Sequence, residues 1–479
     1  MGKSSRRGFL KAASSLAAAM AVWRRVPAMG AAADAAAPVK VWSTFRDQRH
    51  AAGEPLKWRP ATAIAANAIV LDPSASRQEM LGFGAAMTDA SCYLLSRLSE
   101  AERQPLMHDL FAPEEMAFNV CRTCIGASDY SRSVYSFDES PEPDPELKRF
   151  SIDHDKAYIL PVLREARKAN PELFLFSSPW SPPGWMKPNG SMLGGCMRKT
   201  NFSSYAQYFL RFLDGYKAEG VSIDAVTVQN EVDAEQEGHM PACLWSQEQE
   251  IEFVVGHLGP ALRKAGMPTK IWVIDHNYNL WGRAIDELSD SAASEYIDGI
   301  AWHGYVGESS AMSRVHDAFP QKNAYWTEGG PDITAPDYQT DFATWAETFN
   351  GIVNNWARAI TSWNLVLDEK GNPNIGPFSC GGVITIDNGT HEVTRSGQYW
   401  AFAHYCKHVR RGAKVFATDG VGDLGMGGAV SHAGFRNPDG SFVVVLANRG
   451  QEKRIELVLG SRALQVALPA DSVHTLQWA

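Results

Sequence analysis

The chain has 479 residues, with 45 lysines and arginines against 54 aspartates and glutamates, a formal net charge of −9. That acid excess argues against a phosphate-binding basic footprint, and so against nucleic acid, and equally against a polybasic membrane-surface role. A composition of 45% hydrophobic and 21% charged residues suits a globular protein, and a single core stops growing at about 250–300 residues, so one large domain and a smaller one are expected.

Residues 1–33 hold six bases, Lys3, Arg6, Arg7, Lys11, Arg24 and Arg25, and no acid. Ser5-Arg6-Arg7-Gly8-Phe9-Leu10-Lys11 resembles a bacterial twin-arginine export signal. The apolar run over 12–22 is too short to span a bilayer. Cleavage among the small residues near 28–33, and export to the periplasm or medium, are expected. The remaining chain then carries 39 bases against all 54 acids, a net charge of −15. No later segment is long and apolar enough to span a bilayer, so no stable membrane insertion of the mature chain is expected.

Residues 38–75 contain strand-like segments such as 68–71. From about 76 to 411, short apolar runs alternate with amphipathic helices. The strand candidates are 80–84, 118–124, 173–177, 225–229, 270–275, 299–303, 323–327 and 359–363. Between the third and fourth, Tyr205, Phe209, Phe212 and Tyr216 recur on one helical face. Eight such units suit an α/β fold of the (β/α)8 TIM-barrel type, and phosphate-loop and dinucleotide fingerprints are missing. From 412 to 479 the pattern turns all-β, with strands at 442–448, 455–459, 465–468 and 474–478. Those strands and 38–75 are expected to form one β-sandwich built from both ends of the chain.

Thr227-Val228-Gln229-Asn230-Glu231 and Tyr325-Trp326-Thr327-Glu328-Gly329-Gly330 each read as a strand running into a glutamate. By count these are barrel strands four and seven. Residues at the C-terminal ends of barrel strands face the active site. Two opposed carboxyls, one protonated and one ionised, are what cleavage of a glycosidic bond requires. Of the 15 tryptophans, five (Trp180, Trp185, Trp302, Trp326 and Trp363) fall at or just after predicted strand ends. Flat indole rings there suit the faces of sugars.

These motifs together resemble glycoside hydrolase family 30, a retaining family that includes glucosylceramidases, over most of the chain. Gly82-Phe83-Gly84-Ala85-Ala86-Met87-Thr88-Asp89-Ala90 is similar to its first-strand motif, and Trp302-His303-Gly304-Tyr305 to its strand-six segment. The resemblance implies Glu328 as nucleophile and Glu231 as acid and base. It also implies Asp129, Trp180, Asn230, Tyr305 and Trp363 as sugar-binding residues, with Arg122 and His303 in support. Tyr305 and Arg122 would keep Glu328 ionised, and Glu231 would need a raised pKa in the resting enzyme.

Each supporting residue has a structural alternative: Arg122 a core ion pair, His303 a hydrogen-bonded core histidine, Trp185 and Trp326 packing. Asp275-His276-Asn277, after strand five, either lines the cleft or caps a helix. Val232 stands where many relatives carry proline, and glycines follow Glu328, which leaves the aglycone side open. Cys121 and Cys124 have CxxC spacing but lie on a predicted strand, where i and i+3 face opposite ways, and no second zinc-like pair follows. No cofactor or metal is therefore expected. The expected substrate is a β-glucoside: glucosylceramide-like first, then a β-1,6-glucan or other oligosaccharide. The rivals are a catalytically silent carbohydrate-binding protein and a transglycosylase.

Overall fold

Eight parallel strands close into a barrel in the computed structural model, which describes residues 38–62, 64–65, 68–420 and 429–479. The leader expected over 1–33 lies outside the described residues. The barrel strands in chain order are β1 (Gly82–Ala85), β2 (Val120–Cys124), β3 (Phe174–Ser178) and β4 (Ala225–Thr227). They continue with β5 (Lys270–Asn277), β6 (Ile297–His303), β7 (Asn323–Glu328) and β8 (Ala357–Ser362). β1 and β2 meet through a bridge between Ala86 and Arg122 and through Met87 N donating to Arg122 O at 2.7 Å. The glycines of the first strand allow this approach: a Cβ on Gly84 would sit 2.0 Å from the Val120 carbonyl oxygen.

Inside the barrel, side chains stack in layers. Val120, Phe176, Ala225, Trp272, Ala301, Tyr325 and Ala359 form an apolar plug. Successive side chains on a strand point to opposite faces, so the next inward residue lies two further on. That residue is Arg122 on β2, Ser178 on β3, Thr227 on β4, His303 on β6 and Thr327 on β7. The apolar plug thus supports a buried polar layer, and both follow from the pleat. β5 breaks the count. Ile274 and Asp275 both have positive φ (73° and 44°), and the pairing with β6 slips there. This bulge turns Ile274 into the outer core and puts Asp275 into the inward place.

The second sheet has ten strands drawn from both termini. Ala68–Glu79 pairs with Lys453–Leu459 at one end and Lys414–Asp419 at the other, and Lys40–Phe45 pairs with Ser472–Trp478. Phe442–Asn448 shows why its sequence is apolar throughout. Val444 and Leu446 fill the sandwich core, while Val443, Val445 and Ala447 join the core shared with helices Phe342–Asn354 and Gly397–Cys406. A strand buried on both faces needs no alternation. Helix Phe202–Ala218 buries Tyr205, Phe209, Phe212 and Tyr216 as its periodicity requires. No helix among the described residues is long and apolar enough to cross a membrane.

Candidate active site

The C-terminal mouth of the barrel holds a cleft of about 500 Å³. Asp129, Trp180, Asn230, Glu231, Tyr305, Glu328 and Trp363 line it, and Arg122 and His303 lie fully buried beneath it. The structure therefore brings together all nine residues singled out from the sequence.

Arg122 organises the floor. Its Nη1 donates to Glu328 Oε2 at 2.5 Å, and its Nη2 donates to Asn230 Oδ1 and Asp275 Oδ2, each at 2.7 Å. The bond to Asn230 Oδ1 fixes which end of that amide presents its N–H groups elsewhere. The guanidinium lies 4.6 Å from the Trp180 ring and 5.4 Å from the Trp363 ring. Those two indoles stack on each other at 4.9 Å. Tyr305, whose ring is half-exposed in the cleft wall, donates its hydroxyl to Glu328 Oε1 at 3.1 Å.

His303 stands between the two glutamates. Its Nδ1 lies 3.3 Å from Glu231 Oε1 and 3.7 Å from Glu328 Oε1, and its Nε2 lies 3.0 Å from Asp275 Oδ1. Those two glutamate oxygens are therefore no more than about 7 Å apart, which excludes the wider part of the range for inverting enzymes. Burial alone would lower the pKa of His303. The charge of Glu328 and the bonds to Asp275 and Glu231 override it and raise the imidazole to about 9.

The carboxyls are correspondingly differentiated. Asp275 is fully buried, which would raise it, yet the charge of Arg122 and bonds from His303 and Thr227 hold it well below the usual carboxylate range. Ser178 and Thr327 hydroxyls add further donations at 2.8 and 2.7 Å. Glu328 is raised by burial and by the charges of Glu231 and Asp275, against the pull of His303 and Arg122. Burial also favours the neutral form of Glu231, but the hydrogen bond and charge of His303, followed by His276, lower it. Both directions differ from the expectation of an ionised Glu328 and a raised Glu231: burial and two carboxylate charges raise Glu328, and Glu231 is lowered instead. For Glu231 the physical reason is His303, which holds the proton 3.3 Å from Glu231 Oε1.

Asp129 is almost completely buried, and its Oδ1 has no hydrogen-bond partner. Burial first, then the charges of Glu328 and Glu231, raise it well above the usual range. An unsatisfied buried carboxyl oxygen in a cleft fits a partner carried in by a ligand, such as a hydroxyl.

Sequence reasoning left Asp275-His276-Asn277 open and missed other members of the site. Asp275 is the common acceptor of the polar layer, and His276 lines the cleft with its Nδ1 3.5 Å from Glu231 Oε1. Both carried a readable signal, since they end a barrel strand as the two glutamates do. Gln236, Asp332, Phe378, Ser379 and Cys380 also line the cleft. They come from long loops, and no local pattern marks them.

The tryptophan expectation needs correction. Of the five, Trp180 and Trp363 line the cleft, whereas Trp185, Trp302 and Trp326 belong to the outer core. Trp302 and Trp326 sit one residue from inward positions, so the pleat turns them towards the helices. Trp326 explains Gly329, where a Cβ would lie 2.3 Å from its ring. Cys121 and Cys124 fall in different packing clusters on opposite faces of β2.

Comparison with known proteins matches this geometry. Residues 80–409 match the model of the glycosyl hydrolase family 30 TIM-barrel domain, and residues 412–476 that of the family's beta sandwich domain. An endo-1,6-beta-D-glucanase of Neurospora crassa is 33% identical over 391 residues, covering 79% of this chain and 80% of its own. The lysosomal acid glucosylceramidase of Mus musculus is 27% identical, covering 86% of this chain and 82% of its own. Among solved structures, the endo-beta1,6-glucanase BT3312 superposes with a TM-score of 0.82 at 30% identity, over 92% of this chain and 99% of its own.

Proposed function

Since the chain belongs to glycosyl hydrolase family 30 and is a retaining glycosidase, we propose that Glu328 is its nucleophile and Glu231 its acid and base. One observation carries the assignment: Glu328 alone of the two receives both the Arg122 guanidinium and the Tyr305 hydroxyl. The Arg122 charge opposes the rise that burial and the neighbouring carboxylates impose on Glu328, and the two donors fix the orientation of its carboxyl. Glu231 faces it across His303.

In the first step a Glu328 oxygen bonds to the anomeric carbon as the glycosidic C–O bond breaks. The departing oxygen takes a proton from Glu231, which receives it from His303 Nδ1 as the bond breaks, so that Glu231 is left ionised and His303 neutral. Esterification removes the charge on Glu328. In the second step Glu231 accepts a proton from water, the water oxygen attacks the anomeric carbon, and Glu328 leaves as carboxylate. Asn230 donates to the sugar 2-hydroxyl, Asp129 takes paired hydroxyls, and Trp180 and Trp363 bound the sugar. No cofactor enters either step.

Between the two β-glucosidic substrates left open by the sequence, the relatives weigh towards a β-1,6-linked glucan. Three endo-1,6-beta-D-glucanases are 30–33% identical to the chain, while the glucosylceramidases are 27–29% identical. Assay of β-1,6-glucan beside glucosylceramide and aryl β-glucosides decides it. Higher kcat/KM on glucosylceramide would reverse the choice. Export is proposed on the twin-arginine motif alone, and Arg6→Lys with Arg7→Lys should keep the protein in the cytoplasm of an expressing bacterium.

The nucleophile is tested with Glu328→Ala on an aryl β-glucoside. Activity should fall on the order of 10⁴-fold or more, and azide should restore turnover with an α-glycosyl azide product. Undiminished hydrolysis in the variant would remove the assignment.

A further inference from the structure

Beside Glu231, His276 joins His303 in an arrangement that the two steps of hydrolysis do not use. Glu231, His276 and His303 each offer one ligand atom, and all three atoms lie within 4.8 Å of one another. The distances from Glu231 Oε1 are 3.3 Å to His303 Nδ1 and 3.5 Å to His276 Nδ1. Ligands about 2.0–2.1 Å from a tetrahedral ion are about 3.3–3.4 Å apart. Two of the three edges are therefore nearly those of a zinc-type site, and the third, between the histidines, is within 4.8 Å.

Two further observations point to a ligand. His276 is 92% buried by side chain, and its Nδ1, which faces Glu231, has no hydrogen-bond partner. Each histidine is also held from behind by a carboxylate: His276 Nε2 lies 2.6 Å from Asp233 Oδ1, and His303 Nε2 lies 3.0 Å from Asp275 Oδ1. A carboxylate on the outer nitrogen is the usual arrangement behind a metal-bound imidazole, since it fixes ring orientation and raises basicity.

We propose that Glu231, His276 and His303 form a capture site for a divalent transition ion of the zinc type, and that the bound ion blocks hydrolysis. The ion would bond to Glu231 Oε1 and the two Nδ1 atoms, with its fourth position open to water in the cleft. It replaces the proton that His303 and Glu231 share, and no electron is transferred. A zinc-bound Glu231 has no proton to give a leaving group, so the ion is an inhibitor and not a cofactor. The binding follows from geometry alone; the blockade rests on Glu231 being the acid.

Titration of the full chain with Co²⁺, followed by its visible absorption, and with Zn²⁺, followed by calorimetry, tests binding without reference to activity. One equivalent should bind with a tetrahedral cobalt spectrum. His276→Ala should weaken affinity at least tenfold, and Asp233→Asn, which keeps the ligand but removes its orienting charge, by about 10–100-fold. His239→Ala, on an exposed histidine of the neighbouring loop, should leave affinity unchanged. Thermal melts establish that each variant is folded. Equal ion affinity in the wild type, His276→Ala and Asp233→Asn would overturn the site. Stoichiometric binding lost in these variants, but with hydrolysis unaffected at saturating Zn²⁺, would keep the site and overturn Glu231 as the acid.

Discussion

Histidines occupy two buried regions of this molecule and behave in opposite ways. At the barrel mouth, His303 faces Glu231, Asp275 and Glu328 and is raised to about 9. At the seam between helix Gly397–Cys406 and the sandwich, His50, His404, His408 and His474 meet one another and neutral hydrogen-bond partners, with the positive charges of Lys407 and Arg410 nearby. His50 Nε2 lies 2.9 Å from His408 Nε2, His404 bridges Thr44 and Thr475, and His474 contacts Ser43. Burial lowers all four, to about 4 for His50 and His474 and about 3 for His408. The same side chain is cationic in one place and neutral in the other because only the mouth supplies carboxylates. Burial by itself disfavours charge; the partner decides whether charge survives.

The sharpest way to break this comparison is to remove the cation that balances the mouth. Arg122→Met would leave Asp275 and Glu328 buried without their guanidinium. Loss of one partner of a buried ionic network costs about 3–5 kcal/mol. Denaturant unfolding should show that loss, and activity should fall with it. A variant of unchanged stability would mean that the layer is solvated well enough not to need Arg122.

How far this was legible in the sequence depends on where the pattern is local. The eight strands could be placed to within a few residues, because each is a short apolar run ended by a polar residue or glycine. Glu231 and Glu328 were visible for the same reason. Asp275 was not assigned, because the bulge at Ile274 puts it out of step with the pleat. The tryptophans were over-read, because a strand end tells position along the barrel and not which face a side chain takes. The seam was invisible: His50 lies hundreds of residues before His404 and His474, and they meet only once the sandwich closes on the barrel.

The seam gives the next largest effect, in the opposite direction of pH from the mouth. Its histidines have folded pKa values below the unfolded value of 6.5. The unfolded chain therefore binds more protons between about pH 6.5 and 4, and stability present above 6.5 is lost as pH falls through that window, by several kcal/mol. His303 has a folded value above 6.5, so its contribution is full below 6.5 and is lost as pH rises through about 9. Stability measured against pH should thus fall on both sides. Replacing His50 and His408 together by Gln should flatten the acid limb and leave the alkaline limb in place. An acid limb of unchanged slope would show that other groups govern it.

The smallest effect concerns a single hydroxyl in the polar layer. Thr327 Oγ1 donates to Asp275 Oδ1 at 2.7 Å, on the strand that carries Glu328. Thr327→Val keeps the branched shape and removes that donor. A hydrogen bond to a charged group contributes about 1.5–3 kcal/mol, but Asp275 also accepts from Arg122, Ser178, Thr227 and His303, so the loss should fall at the low end. Weaker solvation of Asp275 makes its charge more available to His303, so the imidazole should hold its proton more tightly. The alkaline limb of kcat should then move to higher pH, while KM changes little because Thr327 does not line the cleft. A change confined to KM would instead mean that Thr327 acts by placing Glu328 and not through Asp275.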